Sequence, residues 1–334
     1  MQTLLKETNA YRLLKAERDK NRLHHAYLLL LDDKRNLREA VKIFAKLLFF
    51  CEEADTPERA RISSLIDGEV FSDSLVFPKT DKKFTVAETE DILEEISLKP
   101  IEGGKKVFLV ADFAEATAQA QNKLLKVLEE PPENVFFLLG ATSSYPVLST
   151  VLSRTEKLEI LPFTETQVGD CLRRLYKDKP FTQRELTLSA AASSGSVGTA
   201  QNILDGGYYK DLTQKAFELC SAGLSTLPIA VKKASDIKYK KEFLSFLKLV
   251  FRDAFLYKAE TKDSSFRSVG EKYFVLPTER DKVRAVSENY SLSALLYAQE
   301  ALTEAEKEVF FNANFPQCIE IALSKILWKN KSVL

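Results

Sequence analysis

The chain has 334 residues, 45% hydrophobic and 29% charged, which is enough for two or three domain cores and excludes both a small stapled fold and intrinsic disorder. Lys plus Arg and Asp plus Glu both number 48, so no net charge draws the whole chain to DNA or to a membrane surface. From the N-terminus, Ala26 to Leu31, Leu75 to Phe77, Lys106 to Ala111, Val135 to Gly140 and Thr155 to Ile160 read as strands. Several are apolar on both faces, as in a buried parallel sheet. Between them, Arg35 to Phe50 places Val41, Phe44, Ala45 and Leu48 on one helical face, and Val86 to Leu98 follows Thr85 and Glu88 in capping-box spacing. Ala116 to Glu130 reads as a third helix with Leu124, Leu125 and Leu128 as its stripe, ended by Pro131 and Pro132. This alternation predicts an α/β domain over residues 1–162 with a mostly parallel sheet.

After Pro162 the strand signals nearly vanish. Thr164 with Gln167 opens a helix to about Tyr176, and Thr182 to Ser193 and Gly198 to Leu204 suggest two short ones, so residues 163–206 are expected to form a small helical domain. Gly206 and Gly207 break the pattern. Beyond them Phe243, Phe246, Leu247, Val250, Ala254 and Phe255 share one helix face, as do Leu292, Leu295, Leu296, Gln299 and Leu302. Residues 207–334 are therefore expected to be all-helical.

Four scattered cysteines, at 51, 171, 220 and 318, offer no chelating cluster, and no secretory signal is visible. A cytoplasmic chain with free thiols is expected, without a membrane helix, because the longest apolar runs fall far short of the ~20 residues a span requires. Residues 1–50 carry eleven basic and six acidic side chains, and residues 51–100 carry six and thirteen. Solvated faces account for that asymmetry, with complementary subunit contacts as the alternative. Lys232, Lys233, Lys238, Lys240 and Lys241 lack interleaved stacking aromatics and read as a solvated helix face rather than a DNA contact. Cys171, Cys220 and Cys318 read as small core hydrophobes, and the adjacent His24 and His25 as packing or hydrogen-bonding groups at the start of the first strand.

Three segments in order carry a resemblance: Asn21 to Leu28 (NRLHHAYL), Gln121 to Pro132 (QNKLLKVLEEPP) and Leu152-Ser153-Arg154. Together with Gly195 to Gly198, Asn312 to Asn314 and Cys318 to Glu320, they resemble the AAA+ clamp-loader family of bacterial DNA polymerase III over nearly the whole chain. The resemblance implies a RecA-like AAA+ domain, a small helical lid and a helical collar that assembles with partner subunits. The implied partners are the gamma/tau ATPase subunits and the delta subunit, with the sliding clamp and primed DNA reached through the assembly.

The chemistry of the family's nucleotide site is missing from this chain in three places. A phosphate-binding loop needs several glycines, then a Lys and a Ser or Thr, whereas the matching stretch Leu30 to Arg38 has no glycine and presents Asp32, Asp33 and Lys34. Magnesium and the attacking water need paired acids, whereas Asp112 is followed by Phe113. Asp112 is instead expected to cap the next helix; Asp112 with Glu115 as an acid and base pair is the alternative. The run Gly195 to Thr199 lacks the family's nucleotide-sensing Arg. No nucleotide and no intrinsic ATPase activity are therefore expected in this chain, with ATP and magnesium held by a neighbouring subunit; an active AAA+ ATPase with an unorthodox phosphate loop and a sequence-independent DNA-binding module are the alternatives. The resemblance assigns Arg154, supported by Ser153, the role of a finger acting in trans on that ATP; a surface intrachain ion pair is the alternative. Thr155 stands where the family commonly has Cys. The zinc module of many relatives would need about four clustered ligands, and only Cys51 lies there, so no zinc is expected and residues 52–74 are expected to form a helical or irregular insertion.

Overall fold

A computed structural model describes residues 1–53, 55–79, 83–102, 104–206, 209–237, 239–262, 276 and 279–331. The chain divides into two compact units, Met1–Pro162 and Phe163–Leu334. Both helical regions expected beyond Pro162 lie in the second unit.

The first unit holds five parallel strands, β1 (Ala26–Leu31), β2 (Ser74–Phe77), β3 (Lys106–Val110), β4 (Val135–Ala141) and β5 (Glu156–Ile160), in the order β2-β3-β4-β1-β5. The central strands are buried on both faces, as their unbroken apolar sequences require. At the edge, β5 exposes Lys157 and Glu159. Helices α1 (Gln2–Lys6) and α2 (Asn9–Asp19) precede β1, and the sequence reading did not find them. The crossovers are α3 (Leu37–Leu48), α4 (Pro57–Asp67), α5 (Val86–Ile96), α6 (Ala118–Glu129) and the single turn α7 (Ser149–Leu152). Thr85 and Glu88 form the reciprocal capping box at the start of α5.

Residues 52–74 contain the helix α4, and charge ties this segment to α3. Lys46 Nζ lies 2.6 Å from Asp67, Lys42 Nζ donates to the Asp67 carbonyl at 3.0 Å, and Arg38 pairs with Glu69. Arg38, Lys42 and Lys46 are spaced by four and so share one face of α3.

One face of the sheet packs Leu28, Phe108, Val110, Phe137 and Leu139 against Leu124 and Leu128 of α6. Phe108 and Phe137 stack at 5.4 Å. Alternation turns Leu138 and Gly140 to the other face, where α3 approaches so closely that a Cβ on Gly140 would sit 2.8 Å from Val41 Cγ1 and 2.9 Å from the Ala111 carbonyl oxygen.

The second unit is helical throughout its described residues. It begins with α8 (Glu165–Leu175), α9 (Gln183–Ala192) and α10 (Val197–Asp205), started by Thr164 with Gln167, Thr182 with Glu185, and Ser196. The helices α11 (Tyr209–Cys220), α12 (Leu227–Ala234), α13 (Lys240–Lys262), α14 (Arg280–Asn289), α15 (Leu292–Phe310) and α16 (Phe315–Lys331) follow. Phe243, Phe246, Leu247, Val250 and Ala254 are buried as expected and Phe255 packs at the margin. The expected face of α15 needs correction: Leu296 is 63% exposed, Gln299 donates from Nε2 to the Lys248 carbonyl at 2.8 Å, and the buried stripe is Ala294, Leu295, Ala298, Ala301, Leu302 and Ala305. Alanines make that stripe, so the larger Leu296 misdirects a reading based on leucine spacing. Gly207 and Lys238 lie outside the described residues.

The Gly140 contact gives a stability prediction. Because one of the two closest atoms belongs to the backbone, Gly140→Ala should cost about 2–3 kcal/mol, read as a lower urea midpoint with an unchanged slope.

Candidate functional site

Parallel strands deliver their C-terminal ends to one edge of the sheet and their N-terminal ends to the other. The residues singled out in the sequence divide between those two edges.

At the C-terminal edge, β1 runs into Asp32, Asp33 and Lys34, and β3 into Asp112 and Phe113. Asp33 is almost wholly buried, at 3% exposure. Its carboxylate accepts from the Asn36 backbone N–H at 3.1 Å and from Asn36 Nδ2 at 2.9 Å, at the N-terminal end of α3. An acidic oxygen of the chain itself thus occupies the end of the helix that attracts anions. Asp32 is exposed beside it. Lys34 turns the other way: its Nζ lies 3.6 Å from Asp112 Oδ2 and forms a closer ion pair with Glu115, whose second oxygen is 3.6 Å from Lys83 Nζ.

The expectation that Asp112 caps a helix is not met. Asp112 makes no side-chain cap; Thr117 accepts from Ala120 N–H at the start of α6 instead. Asp112 Oδ1 is buried without a hydrogen-bond partner among the described residues. Burial raises the Asp112 pKa while Lys34 pulls it the other way. A hydrogen bond from Lys34, and the charge of Lys34 and Lys83, hold Glu115 below the usual carboxylate value. Burial disfavours the charged form of Lys34, but Glu115 and Asp112 outweigh it and its pKa rises. Phe113 points into the core at 0% exposure, 6.3 Å from the Phe84 ring.

At the N-terminal edge, His25 Nε2 lies 2.8 Å from the Leu128 carbonyl and His24 Nδ1 lies 2.8 Å from that of Ala26. Burial lowers the His25 pKa. Arg154 emerges here, after α7 and before β5. Its Nη1 donates to the Thr150 carbonyl at 2.8 Å and to Ser153 Oγ at 3.1 Å, and its Nη2 pairs with Glu129 at the end of α6. Ser153 is exposed, and the Arg154 side chain keeps 32% of its exposure.

Sequence reasoning missed Glu129 as the partner of Arg154, although it lies within the quoted LEEPP run. It also missed Gln121. That side chain is 1% exposed; its Nε2 donates to the carbonyls of Ala116 and Pro146, and its Oε1 accepts from Leu148 N–H at 2.9 Å. The loop that leads into α7 is thereby fastened to α6.

The remaining candidates are dispersed. Lys232 and Lys233 are exposed at the end of α12, and Lys240 lies 5.6 Å over the Phe315 ring. Cys171 and Cys220 are buried and Cys318 is half-buried. The Cys51 thiol is pushed up to about 11 by burial and donates to the Lys46 carbonyl. No described helix is long and apolar enough to cross a membrane.

A model of the family described as DNA polymerase III, delta subunit, matches residues 6–164. The chain is 29% identical to DNA polymerase III subunit tau/gamma of Haemophilus influenzae over 55% of this chain and 27% of that protein. It is 30% identical to DNA polymerase III subunit delta′ of Bacillus subtilis over 46% of this chain and 47% of that protein. Over 92% of this chain and 90% of the relative it is 24% identical to DNA polymerase III subunit gamma of Buchnera aphidicola subsp. Acyrthosiphon pisum. The chain spans about a third or less of the length of the tau-type relatives it matches.

The Lys34 cluster predicts a pH signature. The depressed Glu115 pKa contributes stability above the unfolded carboxylate range that is lost as pH falls through the folded value. Lys34→Met should therefore lower stability by about 0.5 kcal/mol at pH 7, a figure kept small because Lys34 is well exposed. That deficit should shrink as pH falls below the unfolded carboxylate range and vanish only once pH lies below the depressed folded value, where Glu115 is protonated in both states. Urea titrations of both proteins at pH 7 and pH 3.5 check it, and an equal deficit at the two values would rule out the ion pair as its source.

Proposed function

We propose that the chain is a DNA polymerase III clamp-loader subunit of the delta-prime type, hydrolysing no ATP itself and serving a neighbour's; the match to the DNA polymerase III delta family over residues 6–164 and the similarity to delta′, gamma and tau subunits support this reading. In this reading the gamma/tau ATPase subunits and the delta subunit are its partners, and ATP with magnesium is held next door. Its output is geometric: it couples the neighbour's nucleotide state to loading of the sliding clamp on primed DNA.

The observation that carries this reading is the separation of Arg154 from the chain's own degenerate site. Asp33, Lys34 and Asp112 stand at the C-terminal edge of the sheet, and Arg154 stands at the N-terminal edge. The five residues of β5 put roughly 17 Å between those edges. A guanidinium there cannot reach a phosphate bound at this chain's own loop. It remains a rigid, permanently charged fork suited to phosphoryl oxygens presented from outside.

The local chemistry of the degenerate site supports the same reading. A phosphate approaching α3 meets the carboxylate of Asp33 where it needs backbone N–H groups. Two unit like charges about 4 Å apart repel by about 1 kcal/mol even in water, and by more when partly buried. Lys34, the cation that follows these carboxylates directly in sequence, is engaged by Asp112 and Glu115.

Two measurements test the proposal. Calorimetric titration of the purified chain with magnesium-ATP should give no binding heat up to millimolar nucleotide; micromolar binding would overturn the reading of the loop. In the reconstituted assembly, Arg154→Ala should cut ATP turnover at least tenfold while leaving assembly intact, fingers of this kind being worth about 10³ to 10⁵ in rate. Unchanged turnover would remove the trans role.

A further inference from the structure

The Arg154 guanidinium is already engaged within its own chain. Nη1 is held by the Thr150 carbonyl and Ser153 Oγ, which sit on the same turn, and Nη2 is held by the Glu129 carboxylate. Carboxylate and phosphate present similar pairs of oxygens to a guanidinium, so they compete for the same donors. The turn that carries Arg154 is fixed independently, because Gln121 fastens Pro146 and Leu148 to α6. A rival anion can therefore take the place of Glu129 without moving the backbone.

We infer that Glu129 is a latch on Arg154: its carboxylate keeps the guanidinium folded against the chain and yields it when a neighbour presents a more highly charged phosphoryl group. This rests on the trans reading of Arg154 above. Glu129 ends α6, where the helix carbonyls and Pro131-Pro132 leave a negative terminus that disfavours a lone carboxylate, and Arg154 compensates it. The pair is also weak enough to open. Glu129 keeps 47% and Arg154 32% of side-chain exposure, and an ion pair in contact with water shifts an equilibrium by only about two- to fivefold. Such a latch tunes the cost of engagement without blocking it. Glu129 is thus a positioning residue that acts through Arg154.

Two readouts on E129Q and E129D separate the latch from the role of Arg154 itself. On the full chain alone, phenylglyoxal modification of Arg154, followed by peptide mass spectrometry, should be about two to five times faster in E129Q than in wild type. E129D, which keeps the charge, should stay closer to wild type. In the reconstituted assembly without clamp or DNA, E129Q should raise ATP turnover by a similar factor. An unchanged modification rate overturns the latch, because Glu129 then does not restrain Arg154. Faster modification with unchanged turnover, in an assembly that Arg154→Ala does slow, also overturns it, because the pair then lies off the path to engagement. If Arg154→Ala leaves turnover unchanged, the trans reading has failed and the latch falls with it.

Discussion

Parallel pairing of β1 between β4 and β5 is the constraint from which the chemistry of the first unit follows. Every strand points the same way, so the residues after β1 and β3 meet at one edge, and the residues before β1 and β5 meet at the other. Asp33 and Asp112 are brought together by topology although they are far apart in sequence. The same topology keeps Arg154 away from them. The sheet tolerates this arrangement because its central strands are apolar on both faces and covered by α3 and α6. The closeness of that cover is visible at Gly140, where no side chain fits.

Electrostatics at the C-terminal edge have been rearranged within that frame. A helix N-terminus at the end of a parallel strand attracts anions, and here the anion is the Asp33 carboxylate of the chain itself. The cation that follows pairs sideways with Asp112 and Glu115. A half-buried Asp112 without Lys34 would be a charge partly taken out of water with one oxygen unsatisfied, and its raised pKa records that cost. Within this cluster the charge of Lys34 is balanced by Asp112 and Glu115.

Much of this fold was legible because its signals are local. The strands stand out as unbroken apolar runs such as Tyr27 to Leu31, and the capping boxes at Thr85 and Thr164 lie within four residues of their partners. The helix after the first strand and the PP stop after α6 follow from equally short patterns. What escaped the reading depends on contacts between distant residues. α2 is held partly by Tyr11 against Phe44, an edge contact at 5.4 Å that no periodicity announces. Asp112 has the composition of a cap, but Lys34 from another strand end claims it. Leu296 has the right spacing for a core, yet the alanines of α15 are the residues its neighbours cover. Arg154 could be singled out from its motif, whereas its tie to Glu129 spans a strand and a turn and leaves no spacing to read.

The position of Arg154 is set twice by one helix. Gln121, near the start of α6, holds the loop that enters α7, and Glu129, at its end, holds the guanidinium that leaves it. The two residues differ in burial, and the difference matches what each has to do. Gln121 is enclosed, with its amide hydrogen-bonded at both nitrogen and oxygen, so removing it would strand backbone groups in a low-dielectric interior. Glu129 is half in water, where exchanging one anion for another costs little. Arg154 is thus fixed in its backbone and exchangeable at its tip. A single helix supplies both ties, from Gln121 on its buried face and from Glu129 at its exposed C-terminal end.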